Sequence, residues 1–368
     1  MEIPWLCIWL PGVFVLGASV GSFLNVVVAR IPTERSLFWP SSHCLSCFQP
    51  IKWFHNLPIF GYIWLKGRCA NCHKSYSSRY MWVEIATGLI FSGIFALEFL
   101  CDIRGVGWYK LFPYEMQFGL VPWQGWVVFL VFAVLASHLL AASLCDIEFL
   151  EIPLPITITG TLCGLALSPL TAWPFPISPN TVPRIATWED LIRRSQIPAG
   201  IMPWPFWLPV PGNFSAGSWQ LGLVDGILGM VVGALICRIV RWVYSLGRGM
   251  EGMGVGDSDL MMMAGAFLGW QVVLVGFFLS VFPGILVGLA QILFKGTQTL
   301  PFGPSLALGC VLSLYSWPWI GPLVKNLFFE PVLMGILGIS SILILGASGI
   351  IFRILGGPQT DPSSSEEP

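Results

Sequence analysis

The chain reads as an all-α polytopic membrane protein with eight to nine transmembrane helices and a small zinc-knuckle insertion on the cytoplasmic side. Three observations predict this. Of 368 residues, 55% are hydrophobic and only 10% charged, where a soluble domain carries about 25% charge. The apolar residues gather into blocks, most of them near the ~20 residues a helix needs to cross a bilayer. Two C-x-x-C pairs stand in one polar block between the first two of those segments. No basic patch with interleaved aromatics accompanies the net charge of −1. The lipid bilayer is therefore an expected partner, and nucleic acid is not.

The first apolar segment covers residues 5–28. It opens without a basic n-region and runs too long for a cleavable signal peptide. Its first cation, Arg30, follows it, which predicts an outside N-terminus and a cytoplasmic block after it. Further segments cover 82–101, 126–145, 155–170, 221–244, 259–281, 282–294, 305–322 and 332–356, with 155–170 and 282–294 short for a span. Alternation then puts 29–81, 146–154, 245–258, 295–304 and the tail inside. Those stretches and their helix ends hold 12 of the 18 Lys and Arg, seven of them in 29–81. That excess marks the cytoplasmic side.

The expected organisation follows. Residues 1–28 form the first transmembrane helix and 29–81 a cytoplasmic zinc-binding, N-terminal domain. Residues 82–170 form transmembrane helices that carry Asp146. Residues 171–220 form an extracytoplasmic loop whose dense prolines rule out a long helix and whose tryptophans favour the headgroup layer. Residues 221–322 form helices around a glycine–aspartate motif, 323–356 an additional C-terminal segment, and 357–368 a tail too poor in apolar residues to order.

The 29–81 block is too small to build a large core and needs a staple such as a metal. Cys44-x-x-Cys47 and Cys69-x-x-Cys72 supply one. Paired knuckles of this kind form tetrahedral four-thiolate zinc sites, and a cytoplasmic location keeps the thiols reduced. Four thiolates leave no open position, so the zinc is expected to be structural. The neighbouring His43 and His73 are candidates to replace a cysteine.

Asp146 and Asp257 carry the remaining chemistry. Asp146 ends the segment 126–145, and Asp257 closes the stretch Gly252-Met253-Gly254-Val255-Gly256-Asp257. A carboxylate at the edge of lipid is costly and is usually functional. Alternation puts both on one side. Gly254 and Gly256, lacking Cβ, let an extended substrate approach the backbone beside Asp257. Two carboxylates within a few Å titrate as a pair, one serving as base toward water and the other as acid toward a carbonyl. A helix N-cap is the alternative role for Asp257. Asp259 adds a negative charge nearby. Glu84 is expected to pair with Arg79 or to face the site.

These motifs together resemble the bacterial type IV prepilin peptidase family, bifunctional leader peptidases and N-methyltransferases of the G-x-G-D intramembrane aspartic class. The resemblance runs from Gly21 to about Gly309, excluding 171–220. It rests on Gly21-Ser-Phe-Leu-Asn-Val-Val-Val-Ala-Arg30, the two knuckles, Asn56-Leu-Pro58, Lys66-Gly-Arg-Cys69 and Ser78-Arg-Tyr80 before Glu84. Asp146-Ile-Glu-Phe-Leu-Glu-Ile-Pro153, Met253-Gly-Val-Gly-Asp257 and Pro301-Phe-Gly-Pro304 complete it. Leu154, Asp259, His55 and Met81 depart from the family pattern. The resemblance implies that Asp146 and Asp257 form a catalytic dyad. It implies cleavage of prepilin and pseudopilin leaders at the cytoplasmic face of the bacterial inner membrane. Methylation of the new N-terminus from S-adenosylmethionine would follow. The competing reading is a non-enzymatic scaffold or proton-coupled transporter with a cytoplasmic zinc ribbon, since paired intramembrane acids also serve proton paths.

Overall fold

A computed structural model describes residues 5–37, 39–44, 46–104, 106–171, 219–248, 253–294, 301–329 and 331–355. The expected loop 171–220 and tail 357–368 therefore lie, apart from Thr171, Trp219 and Gln220, outside the described residues, as does Gly252. The described residues are helices and turns, with isolated bridges in place of strands.

In chain order the helices are α1 (Trp9–Arg30), α2 (Phe60–Trp64), α3 (Arg79–Phe95), α4 (Trp108–Leu111), α5 (Pro113–Gln117), α6 (Trp123–Phe149), α7 (Leu154–Thr171), α8 (Trp219–Arg248), α9 (Val255–Leu279), α10 (Val281–Phe294), α11 (Gly303–Phe329) and α12 (Pro331–Leu355). Among the described residues, six stretches are long and apolar enough to cross a membrane: Leu6–Arg30, Arg79–Leu100, Trp123–Phe149, Gly222–Gly247, Val255–Gln291 and Val332–Ile351. The count of eight to nine took 155–170, 282–294 and 305–322 as further segments. Of these, Leu154–Leu170 is a shorter apolar helix, and α10 continues from α9 across the single residue Ser280.

Lipid tails are as apolar as leucine, so helices in a membrane associate through close packing and hydrogen bonds. The α8–α9 pair does this through small residues. Gly229 of α8 meets the Gly265 backbone of α9, Gly233 meets the Met261 carbonyl, and a Cβ at Gly226 would lie 3.1 Å from the Ala266 carbonyl. In the α1–α3 pair, a Cβ at Gly17 would lie 2.9 Å from Gly88 Cα, and Asn25 Nδ2 donates to the Tyr80 carbonyl at 3.0 Å. At the opposite end of α3, Arg104 donates to the fully buried Glu98 from Nε (2.7 Å) and Nη2 (2.8 Å), and its guanidinium lies 4.7 Å from the Phe132 ring centroid on α6. A forked pair of this kind locks the turn after α3 onto α6. The last helix, α12, lies against α8 where Gly247 meets Gly346 and Gly349. Most of its surface stays exposed and suits lipid.

A break interrupts α9. Gly269 has φ 78° and ψ 170° inside an otherwise helical run, a conformation that is essentially glycine's alone. Asp225 of α8 fills the break: its carboxylate lies against Gly269 and accepts the Trp270 N–H. The second half of α9 thus has its N-terminus capped by a carboxylate from the neighbouring helix, which offsets the exposed backbone donors and the positive end of the helix dipole. We expect Gly269→Ala to destabilise the protein by roughly 1–3 kcal/mol from backbone strain, with the collision against Asp225 adding to it. A lower melting temperature in detergent checks this.

Candidate active site and metal centre

One end of the bundle collects most of the residues singled out above. Asp146 lies in the last turn of α6, buried, with its helix closed by Leu150 in the left-handed conformation. The chain then runs through Glu151–Pro153 into α7. Gly303, at the start of α11, donates its N–H to Asp146 Oδ2 at 2.7 Å. Residues 157 positions apart are joined there, and a Cβ at Gly303 would lie 2.8 Å from that same oxygen.

Asp257 occupies the third residue of α9 and is also buried. It is not the N-cap. Gly254 is the cap residue, and its N–H donates back to Asp257 Oδ2 at 3.2 Å. Ile152 joins the two aspartate neighbourhoods. A Cβ at Gly256 would lie 2.8 Å from Ile152 Cβ, and one at Gly303 would lie 3.1 Å from Ile152 Cδ1. The close approach that Gly256 permits is used by the protein's own segment, while Gly254 is exposed. Each is therefore a buried acid held by a backbone N–H, and the two are brought together by the starts of α9 and α11 and the end of α6.

The other acids resolve differently from expectation. Arg79, at the start of α3, pairs with Glu148 at the end of α6, not with Glu84. Glu84 neither pairs with Arg79 nor faces the aspartates: its Oε2 accepts the Ile59 N–H at 2.6 Å. Asp259 points away from Asp257 and lies 3.7 Å from Arg238, whose charge offsets it. His138 keeps Nδ1 2.9 Å from the Val134 carbonyl within its own helix. Gly303 and Ile152 escaped the sequence reading as neighbours of the aspartates, although Pro301-Phe-Gly-Pro304 and Asp146–Pro153 were both singled out. Asp225 escaped it entirely. A lone carboxylate in the run 221–244 was the available signal.

The four cysteines form the second centre. The Sγ atoms of Cys44, Cys47, Cys69 and Cys72 all lie within 4.8 Å of one another. Cys44 and Cys72 are 3.8 Å apart, and Cys47 and Cys69 are 4.0 Å apart. A tetrahedron with metal–sulfur distances of about 2.3 Å has edges of about 3.8 Å, so the thiols fit a tetrahedral ion. The two knuckles are the same turn repeated. Phe48 N donates to Cys44 O and Cys44 N to Gln49 O; His73 N donates to Cys69 O and Cys69 N to Lys74 O. Bridges His43–Pro50 and Arg68–Ser75 close the two turns, and Phe48 and His73 each take a positive φ. In each turn a backbone N–H points at the first sulfur: Ser46 at Cys44 and Asn71 at Cys69, both 3.4 Å.

Those amides favour thiolate. The N–H groups of Ser46 and Cys47 bring the Cys44 thiol down to about 6, and those of Cys72 and Asn71 also lower Cys69. The Lys74 N–H acts the same way on Cys72, but burial and hydrogen bonds with the three other thiols push it up to about 11. Four crowded thiols cannot all ionise without a cation among them, and a cation is what the geometry accommodates. His43 keeps Nδ1 2.8 Å from the Ser41 carbonyl, and the cluster holds its four ligands without either histidine.

Comparison with known proteins places the chain among relatives. Residues 15–98, which contain both knuckles, match the Bacterial Peptidase A24 N-terminal domain. Residues 181–289, which contain Asp257, match the Type IV leader peptidase family. Asp146 lies between the two matched ranges. The prepilin leader peptidase/N-methyltransferase of Myxococcus xanthus is 30% identical over 327 residues, covering 87% of this chain and 76% of its own. That of Aeromonas salmonicida is 26% identical over 340 residues, covering 85% of this chain and 91% of its own. That of Pseudomonas putida is 28% identical over 319 residues, covering 80% and 86%. No solved structure matches. With its A24 N-terminal and leader-peptidase regions and relatives spanning most of its length, this chain is a peptidase that belongs to the type IV leader peptidase family.

Proposed function

We propose that this chain is an intramembrane aspartic endopeptidase of the bacterial inner membrane. It removes the leaders of type IV prepilins and pseudopilins at the cytoplasmic face, and Asp146 and Asp257 are its catalytic pair. The observation that supports this best is the placement of the two buried carboxylates at one end of the bundle, each fixed by a backbone N–H, with Ile152 packed beside the glycines next to both. Carboxylates so arranged share a proton, which gives the site a base and an acid at once. One carboxylate activates a water toward the scissile carbonyl, and the other protonates the carbonyl oxygen. Fixing both groups in advance removes much of the reorganisation that the reaction would otherwise require. The exposed Gly254 offers an edge along which an extended substrate can lie.

A structural zinc held by Cys44, Cys47, Cys69 and Cys72 completes the fold of the 29–81 block. S-adenosylmethionine, when bound, would supply an electrophilic methyl group to the new N-terminal amine and leave as S-adenosylhomocysteine. The relatives' names, which pair leader peptidase with N-methyltransferase, support that second step.

Incubating the purified full chain with a prepilin tests the proposal. Intact mass is expected to fall by the leader in either condition, and to rise by one methyl group only when S-adenosylmethionine is present. A prepilin left uncut, alongside proton-coupled uptake in vesicles that depends on Asp257, would replace the peptidase reading with the transporter one.

A further inference from the structure

Two of the motifs quoted above are used neither by the aspartate pair nor by the thiols: Gly21–Arg30 and Asn56–Pro58. They converge. A cavity of about 510 Å³ lies between the last turns of α1 and the loop leading into and out of the first knuckle. That volume falls within the range of about 300–1,000 Å³ typical of small-molecule sites. Its wall carries Ser22, Phe23 and Arg30 from α1, Ser41 and Ser42 from the loop before Cys44, and Asn56.

We propose that this cavity is where the methyl donor, S-adenosylmethionine, binds. The inference rests on the methyl-transfer part of the function proposed above. The wall matches the ligand's chemistry group by group. Arg30 is held at the wall by its Nη1, which donates to the carbonyls of Ser36 (3.0 Å) and Leu37 (3.2 Å). Its Nε and Nη2 remain as donors for a carboxylate, the geometry guanidinium serves best. The serine hydroxyls suit a ribose diol. The Asn56 amide offers both a donor and an acceptor to an adenine edge, and the exposed Phe23 offers a ring face to stack on it. Ser22 also hydrogen-bonds Glu84, a buried carboxylate directly behind the wall.

The cavity is also in the right place. Asn25 and Tyr80 tie the lower half of α1 to α3, and Arg79 ties the start of α3 to Glu148, two residues from Asp146. The cavity and the aspartate pair therefore share one end of the bundle, with α3 between them. An N-terminus released at the aspartates reaches the cavity without crossing the membrane.

Equilibrium binding of radiolabelled S-adenosylmethionine to the purified full chain tests this, with no methyl transfer required. Saturable binding near one equivalent is expected. Arg30→Ala and Asn56→Ala are each expected to weaken it at least about tenfold, the loss of one charged or well-placed hydrogen bond. Ser340→Ala on α12, remote from the cavity, is expected to bind as wild type does. Photocrosslinking of the bound donor to the wild-type protein locates it without any variant, and label is expected in 19–30 or 41–58. Wild-type binding with label elsewhere, or with both cavity variants unaffected, would overturn the assignment and leave methyl transfer standing. No binding by the wild type would overturn methyl transfer and the assignment together. Leader cleavage, assayed in the same preparations, reports separately on the peptidase.

Discussion

Asp146→Asn and Asp257→Asn are each expected to lower the rate of leader cleavage by roughly a thousandfold or more, while the protein accumulates in the membrane and melts as wild type does. Removing one positioned acid or base costs about 10²–10⁴ in rate, and two groups that share one proton fail together when either is lost. Asparagine is the informative replacement. Its amide oxygen still accepts the N–H that Gly303 gives Asp146 at 2.7 Å, or the one that Gly254 gives Asp257 at 3.2 Å. The local fold is kept and only the proton chemistry is removed. A peptide cleavage assay paired with a melting curve separates the two. Serine-directed reagents should leave the rate unchanged, because the pair acts through carboxylates.

The second large effect falls on the metal centre. Cys44→Ser combined with Cys69→Ser is expected to cost the protein about one equivalent of zinc and the ordered structure of the knuckle block. The reason is visible in the burial of that block. Among the described residues from 31 to 78, the only buried ones are the glycines Gly61 and Gly67, so there is almost no core to fall back on. A structural four-thiolate zinc contributes about 10–16 kcal/mol of apparent binding free energy to small domains at neutral pH, far more than the block's packing can supply. Metal analysis and limited proteolysis of the double variant check this: unchanged metal content would remove the site from the account. Trp39, Trp53 and Trp64 are each at least 78% exposed. Aromatics this bare on a block next to the bilayer suit the headgroup layer.

The two centres were legible in the sequence to different depths. The knuckles are local, and four cysteines in two short loops announce both the ligands and their geometry. The aspartates needed one further step, the alternation of apolar segments, to put both on one side. What could not be read was how distant pieces meet. The N–H that holds Asp146 comes from Gly303, and nothing in the neighbourhood of either residue encodes that pairing. Arg79 was assigned to Glu84 because the two are near in sequence. In the fold, the start of α3 abuts the end of α6, and Glu148 wins.

Helix boundaries followed the same rule. The run from Leu260 to Pro283 is apolar but for Gln271 and Ser280, and hydropathy alone does not mark the break at Gly269. The break exists because Asp225 on another helix caps it. The division at residue 281, by contrast, is a single-residue step between α9 and α10, so two of the apolar blocks form one stretch long enough to span.

The most direct test of the aspartate pair is single-turnover cleavage of one prepilin by the wild type, Asp146→Asn, Asp257→Asn and the double variant. Groups that act as one unit are strongly non-additive. The double variant is therefore predicted to be no slower than the slower single variant. Losses that multiply in the double variant, or substantial cleavage by either single variant, would contradict the pair.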